Sequence, residues 1–160
     1  MKQIEINRYN LITLINNLKK EDLGELQHNF KKGYKEKFIN ITLNSSGTCF
    51  IADDNDFPLA IGGVDKKRIN NLDIGQVWLI SSNKFKRTNF KLIKFIVSKI
   101  EEYKKENDIL FNFIYKSNFA ALSWLTKCGF KVFDTTNKDY KLFYFTKGGI
   151  NFDLRYITGK

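Results

Sequence analysis

The chain has 160 residues, a length suited to one domain, and its 42% hydrophobic content, with 15 Phe, excludes a wholly disordered chain. One histidine (His28) and two distant cysteines (Cys49 and Cys128) exclude a Cys/His metal cluster and a disulfide scaffold, and leave only His28 for any histidine-dependent triad. The formal net charge of +10, from 27 Lys and Arg against 17 Asp and Glu, suits a polyanionic partner, or equally a solvated lysine surface.

The opening "MKQIEINRYN" has no apolar run of leader length, and no stretch approaches a membrane span, so a reducing, cytoplasmic setting is expected. Lys2 to Asn7 alternates polar and apolar residues and predicts a first strand. Leu11, Leu14, Ile15 and Leu18 recur at helical spacing. A second helix is expected from Glu21 to about Tyr34, with Leu23, Leu26 and Phe30 on one face and Gly33 near its exit. "TCFIA", Thr48 to Ala52, reads as a strand. "DDNDF" reads as a turn, because Asp and Asn side chains bond their own backbone. Pro58 fits the start of the next strand, "LAIGGVDKKRI", which makes residues 48–69 a hairpin. A turn at Asn70 to Asp73 leads into "IGQVWLISS".

Asn89 is the expected N-cap of a long helix whose apolar face holds Phe90, Ile93, Ile96, Val97, Ile100 and Tyr103. "ILFNFIY" is a strand between Asp108 and Ser117. Asn118 to Cys128 is a helix, with Gly129 at the left-handed cap position. Phe130 to Ile157 is aromatic and β-rich, with two or three strands. Its end, "INFDLRYITGK", completes the sheet or pairs with a second copy of the chain. The order β-α-α-β-β-β-α-β-α-β-β describes a mixed α/β (α+β) domain over residues 1–160.

This order, with "NFAALSWLTKCGF" at Asn118 to Phe130, resembles the GCN5-related N-acetyltransferase (GNAT) family. The family's last shared helix reads N-x-x-A-x-x-(L)-Y-x-x-x-G-F; Asn118, Ala121, Gly129 and Phe130 match it, while Trp124 and Leu125 stand where Leu and Tyr are usual. The "G-x-V-W-L" strand, Gly75 to Leu79, and the "N-x-x-A-x-x-W-L" helix look closest to the small acetyltransferase-like proteins encoded by tailed bacteriophages. The resemblance implies a mostly antiparallel sheet of six to seven strands with helices on both faces. It also implies acetyl-CoA (or CoA) as cofactor and transfer of the acetyl group to an amine of a protein, peptide or small molecule, RNA-linked amines included.

An extended pantetheine arm pairs its amides with a strand edge, and a pyrophosphate suits backbone N–H groups at a helix N-terminus. The resemblance places those roles on Leu79, Ile80, Ser81, Ser82, Lys84, Phe85, Lys86, Arg87, Thr88 and Asn89, and on Asn118 and Lys127 of the later helix. The family's glycine-rich Q/R-x-x-G-x-G/A loop is replaced here by lysines and arginine. A backbone N–H of the fourth strand would serve as oxyanion donor. Asp73 is the candidate base, and Tyr115 on the preceding strand and Tyr140 or Tyr144 near the C-terminus are candidate acids in place of the missing tyrosine. No metal is expected. Two other readings stand beside this one: a protein of the same fold without turnover, phage structural or host-interacting, and a basic nucleic-acid-binding module in which Lys84, Lys86, Arg87, Lys91 and Lys94 track phosphate.

Overall fold

Twelve elements follow one another in a computed structural model that describes residues 1–45, 49–53, 55–86, 90–154 and 157. They are β1 (Lys2–Gln3), α1 (Arg8–Ile15), α2 (Lys20–Phe30), α3 (Tyr34–Leu43), β2 (Cys49–Ala52), β3 (Pro58–Ile69), β4 (Leu72–Ser81), α4 (Phe90–Glu106), β5 (Ile109–Tyr115), α5 (Phe119–Lys127), β6 (Lys131–Asp134) and β7 (Tyr140–Thr146). The seven strands lie in the order β1-β2-β3-β4-β5-β7-β6. β4 and β5 are parallel; the pairs β1–β2, β2–β3, β5–β7 and β6–β7 are antiparallel. The expected mixed, mostly antiparallel sheet is therefore present. The chain divides into two compact units, Met1–Gly63 with Trp78–Ile93, and Val64–Val77 with Lys94–Lys160.

In the first unit, Asn7 caps α1: its side chain accepts from the Asn10 N–H at 2.9 Å. Leu11, Leu14 and Ile15 of α1 join Leu26, Phe38, Ile39 and Ile61 in one core, and the Trp78 ring meets Phe38 edge-on. Two expectations need correction here. The first strand covers only Lys2–Gln3, because β2 offers it just two partners, Ala52 and Ile51. The second helix ends at Phe30, where Lys31 and Gly33 both take positive φ, and a third helix, α3, follows. The "DDNDF" turn is held by Asp53, whose Oδ1 accepts from the Asn55 and Phe57 N–H groups. Gly62 is required where β3 passes β4, since a Cβ there would lie 2.8 Å from the Trp78 carbonyl oxygen.

In the second unit, Ile69 and Leu72 are joined through Asn70 and Asn71, both at positive φ, the signature of a two-residue hairpin turn. Ile74, Ile109, Phe111 and Leu142 form the core, with Ile150, Phe152 and Ile157 of the tail packed on it. The described part of the tail is not a strand: Phe152 stacks on Tyr144 at 3.8 Å between ring centroids, so the tail covers the core rather than extending the sheet. The expected apolar face of α4 is present at Ile96 and Ile100, which are buried, whereas Phe90 at its start is 77% exposed. α5 closes as expected: Gly129 has φ 86°, the Phe130 N–H donates to the Leu125 carbonyl, and the Gly129 N–H donates to that of Thr126.

Candidate functional site

β4 is the strand on which the candidate residues converge, and its hydrogen-bond parity decides what each can do. The Ser82 N–H donates to the Leu59 carbonyl of β3 at 2.8 Å. Backbone groups alternate sides along a strand, so Ser81 and Leu79 direct theirs away from β3. Ser81 is already engaged on that side. Its N–H and hydroxyl both donate to Asp22 Oδ2, at 2.8 and 2.7 Å, and its carbonyl accepts from the Lys19 N–H. The Asn83 N–H donates to the Asn17 carbonyl, and Leu18 bridges Ser82. The connection between α1 and α2 thus meets the end of β4 through this isolated antiparallel bridge. By the same parity Leu79 directs its N–H and C=O to this side, and its side chain is 38% exposed.

The resemblance places Ser81 and Ser82 on the cofactor edge. Both are buried, and their backbone donors serve the protein itself. Ile80 packs toward the core of the first unit. Lys84 lies over the Phe57 ring at 3.8 Å, and Lys19 lies over Phe85 at 4.2 Å. The Lys84 and Phe85 N–H groups both turn back onto Ser82, and Lys86 is exposed. Arg87, Thr88 and Asn89 lie outside the described residues. Asp22 was missed by sequence reasoning. Its carboxyl is pushed above the ordinary range by burial, an effect opposed by the Ser81 hydrogen bonds and the nearby Lys19 charge.

In the second unit, Asn118 caps α5, its Oδ1 accepting from the Ala121 N–H at 3.2 Å. Its own N–H donates to the Tyr115 carbonyl, so Tyr115 and Asn118 stand together at the end of β5. Tyr115 stacks on Tyr140 at 4.4 Å. Lys127 is exposed in the last turn of α5. The other two catalytic candidates are elsewhere. The Asp73 N–H donates to Asp108 Oδ2, just before β5 begins, and Arg68 approaches its carboxylate at 3.5 Å. Asp108 and Tyr115 are seven residues apart, which places Asp73 about 23 Å along β5 from Tyr115. Tyr144 stacks with Phe133 at 5.5 Å and with Phe152 at 3.8 Å between ring centroids, packed against the core of this unit. Asp73, Tyr115 and Tyr144 therefore do not form one catalytic cluster. Leu125, at the position of the family's tyrosine, is 6% exposed and belongs to the core.

Sequence reasoning also missed Asn112, the one polar residue in "ILFNFIY". Its Nδ2 donates to the Val77 carbonyl of β4 at 2.7 Å, and its Oδ1 accepts from Gln76 Nε2 at 3.1 Å. Among the described residues, no group of three or more His, Cys, Asp and Glu is placed to hold a metal ion, and no helix is long and apolar enough to cross a membrane.

Neither protein-family models nor curated protein sequences match this chain. Solved structures do. The GNAT domain of S. lividans PAT superposes with a TM-score of 0.68 at 9% identity, over 91% of this chain and 89% of that one. A Bacillus subtilis acetyltransferase in complex with CoA gives 0.58 at 16% identity, over 91% and 97%. The Campylobacter jejuni N-acetyltransferase PseH in complex with acetyl coenzyme A gives 0.52 at 16% identity, over 92% and 99%. At such identities the likeness concerns architecture, and on strand order and superposition alike the chain has the fold of the GCN5-related N-acetyltransferases.

Proposed function

We propose that the chain, taken as one domain over residues 1–160, is an acyl-CoA-dependent N-acyltransferase that uses acetyl-CoA and passes the acetyl group to an amine by direct attack. The observation that carries the reading is the Leu79 peptide. Its N–H and C=O lie on the side of β4 away from β3, beside a Ser81 that is already fully engaged. One amide-bearing arm fits the Leu79 peptide, and a thioester carbonyl lying there would take the Leu79 N–H as its oxyanion donor. Two solved proteins of this fold hold CoA or acetyl-CoA, which supports the same cofactor here. Lys84, Lys86 and Arg87 would meet the phosphates, with Thr88 and Asn89 beside them. Asn118 would add a donor through its Nδ2, its Oδ1 being spent on the helix cap. Lys127 is a further cation for the phosphates.

Transfer requires a neutral amine, a held thioester and a route for one proton. The amine nitrogen bonds to the acetyl carbon, the carbon–sulfur bond breaks, and the amine's proton ends on the CoA sulfur or in water. Positioning supplies much of the acceleration in such a step. Tyr115, at the end of β5 and stacked on Tyr140, is the tyrosine proposed for the proton. The acceptor is an amine of a protein, peptide or small molecule. The reading carries a cytoplasmic setting with it, the host's cytoplasm for a phage-encoded chain, and a second copy of the chain as the partner to test for.

A protein that holds acyl-CoA without turnover is the second reading. It is favoured by Leu125, an apolar core residue where the family carries its tyrosine. Calorimetric titration with acetyl-CoA tests both: binding is expected, and an absence of heat and of thermal shift at millimolar cofactor would sink both. Given binding, release of free CoA thiol with a panel of amines separates the enzyme from the holder. Asn118→Ala should weaken the cofactor severalfold and also cost about 1 kcal/mol of stability through the lost cap.

A further inference from the structure

The parallel ladder between β4 and β5 runs for three pairs, Ile74↔Ile109, Gly75↔Leu110 and Gln76↔Phe111, and stops there. In a parallel ladder the next bond would join the Phe113 N–H to the Val77 carbonyl. Both groups are taken by one side chain instead. The Phe113 N–H donates to Asn112 Oδ1 at 2.7 Å, and Asn112 Nδ2 donates to the Val77 carbonyl at 2.7 Å. Gln76 Nε2 donates to the same Oδ1 at 3.1 Å, fixing which end of the carboxamide faces which strand. The amide of Asn112 is thus inserted where a peptide–peptide bond belongs.

Splitting two strands ordinarily costs the hydrogen bonds of the separated groups. Here the two groups at the break, the Phe113 N–H and the Val77 carbonyl, each keep a partner. The antiparallel partner is undisturbed: Asn112 still pairs with Phe143 in the β5–β7 register, which is continuous from Ile109 to Tyr115. The interruption is therefore confined to the β4 side of β5. An apolar residue at this position, in keeping with the rest of "ILFNFIY", would leave the Phe113 N–H and Val77 carbonyl free to zip together.

We infer that Asn112 is the positioning residue that ends the β4–β5 ladder and so keeps the edge of β4 available to an extended acyl-CoA arm; this rests on the acyltransferase reading above. The test uses Asn112→Leu and Asn112→Asp in the full chain. Leu removes the inserted amide. A through-hydrogen-bond NMR coupling between the Phe113 nitrogen and the Val77 carbonyl carbon, absent in the wild type, should then appear. Thermal stability should hold or rise, while acetyl-CoA affinity falls about tenfold or more, the worth of a hydrogen-bonded arm displaced by a closed strand. Asp keeps the acceptor for Phe113 but sets an oxygen against the Val77 carbonyl. It should lower stability, keep the ladder open and retain most of the affinity. A residue that merely supports the fold would lower stability and binding together in both variants.

Wild-type affinity in the Leu variant, or no new coupling in it, would overturn the inference, as would a Phe113–Val77 coupling already present in the wild type. If the wild type binds no acetyl-CoA, the acyltransferase reading falls and this role falls with it. That failure is read from the wild type alone, so it is distinct from one seen only in the variants.

Discussion

Asp22 shows how far one residue's environment changes its meaning. By position it is a first-turn helix acid, the kind of residue that complements a helix dipole. In the fold it is the clasp on the last residue of β4, accepting from both the N–H and the hydroxyl of Ser81. Burial raises its pKa more than those hydrogen bonds and Lys19 lower it. A carboxyl raised in the folded state binds its proton more tightly there than in the unfolded chain. Its contribution is therefore fully present below the unfolded value of about 3.9 and is lost as pH rises through the folded value. Asp22→Asn keeps an oxygen to accept from Ser81 without a charge to desolvate. The melting temperature of Asp22→Asn minus that of the wild type should thus grow from acid toward neutral pH and then level off. Glu106 and Asp134, whose carboxyls are pulled down chiefly by hydrogen bonds from Lys66 and Lys141, titrate in the opposite sense, but they do so in both proteins and cancel in the difference. A difference that stays constant across that range would show that Asp22 is not held as described.

Two elements carry conformational demands that can be tested directly. β4 passes β5 closely at Gly75, where a Cβ would lie 2.6 Å from Val64 Cγ2, 2.8 Å from Leu110 Cδ2 and 3.0 Å from the buried Asn107 Oδ1. Gly75→Ala should cost about 1–3 kcal/mol in denaturant unfolding, as overpacking does; a neutral result would mean that the strands can part at no cost. Between α2 and α3, Lys31 sits at φ 55°, ψ −134°, a conformation suited to glycine. Lys31→Gly should gain about 1 kcal/mol by relieving that strain, and a loss of stability would show that its side chain matters more than its backbone. These demands also mark what the sequence made legible. The α5 motif could be read ahead because Asn118 and Gly129 specify both ends of the helix by local chemistry. α3 escaped because "YKEKFINITL" mixes β-branched and polar residues and buries only Phe38, Ile39 and Thr42. The distance between Asp73 and Tyr115 was not legible because a strand's sequence does not say at which end its ladder opens. Asn112 was visible as an odd polar residue, but its role depends on the register of a strand some 35 positions earlier. Ser81 looked like an open edge because Lys19 and Asp22, which occupy it, arrive from another element.

At the scale of the whole molecule, the dominant property is the formal net charge of +10. The ion pairs of the described residues, such as Arg8–Glu36, Lys66–Glu106 and Lys141–Asp134, are largely exposed and individually weak, and they leave that excess in place. A surface so charged attracts any polyanion, so binding to duplex DNA or RNA at low salt would not by itself identify a function. The salt dependence separates the cases. A protein tracking six to ten phosphates loses about 10³ to 10⁵ in affinity between about 50 and 200 mM salt, because each neutralised phosphate releases condensed counterions. Acetyl-CoA carries only a few phosphate charges and none of the condensed counterions of a duplex, so under the proposed reading its affinity should fall by less than about tenfold over the same range. Fluorescence anisotropy with a labelled duplex and calorimetry with acetyl-CoA, run in the same buffers, give the two slopes. Cofactor binding that decays as steeply as duplex binding would mean that the lysine surface holds it rather than the Leu79 edge. Duplex binding that ignores salt would remove the phosphate-tracking reading of Lys84, Lys86, Arg87, Lys91 and Lys94. A shallow cofactor slope beside a steep duplex slope is the pair expected of the proposed reading, since the net charge acts on every anion alike while the proposed Leu79 contact would act only on a ligand shaped to reach it.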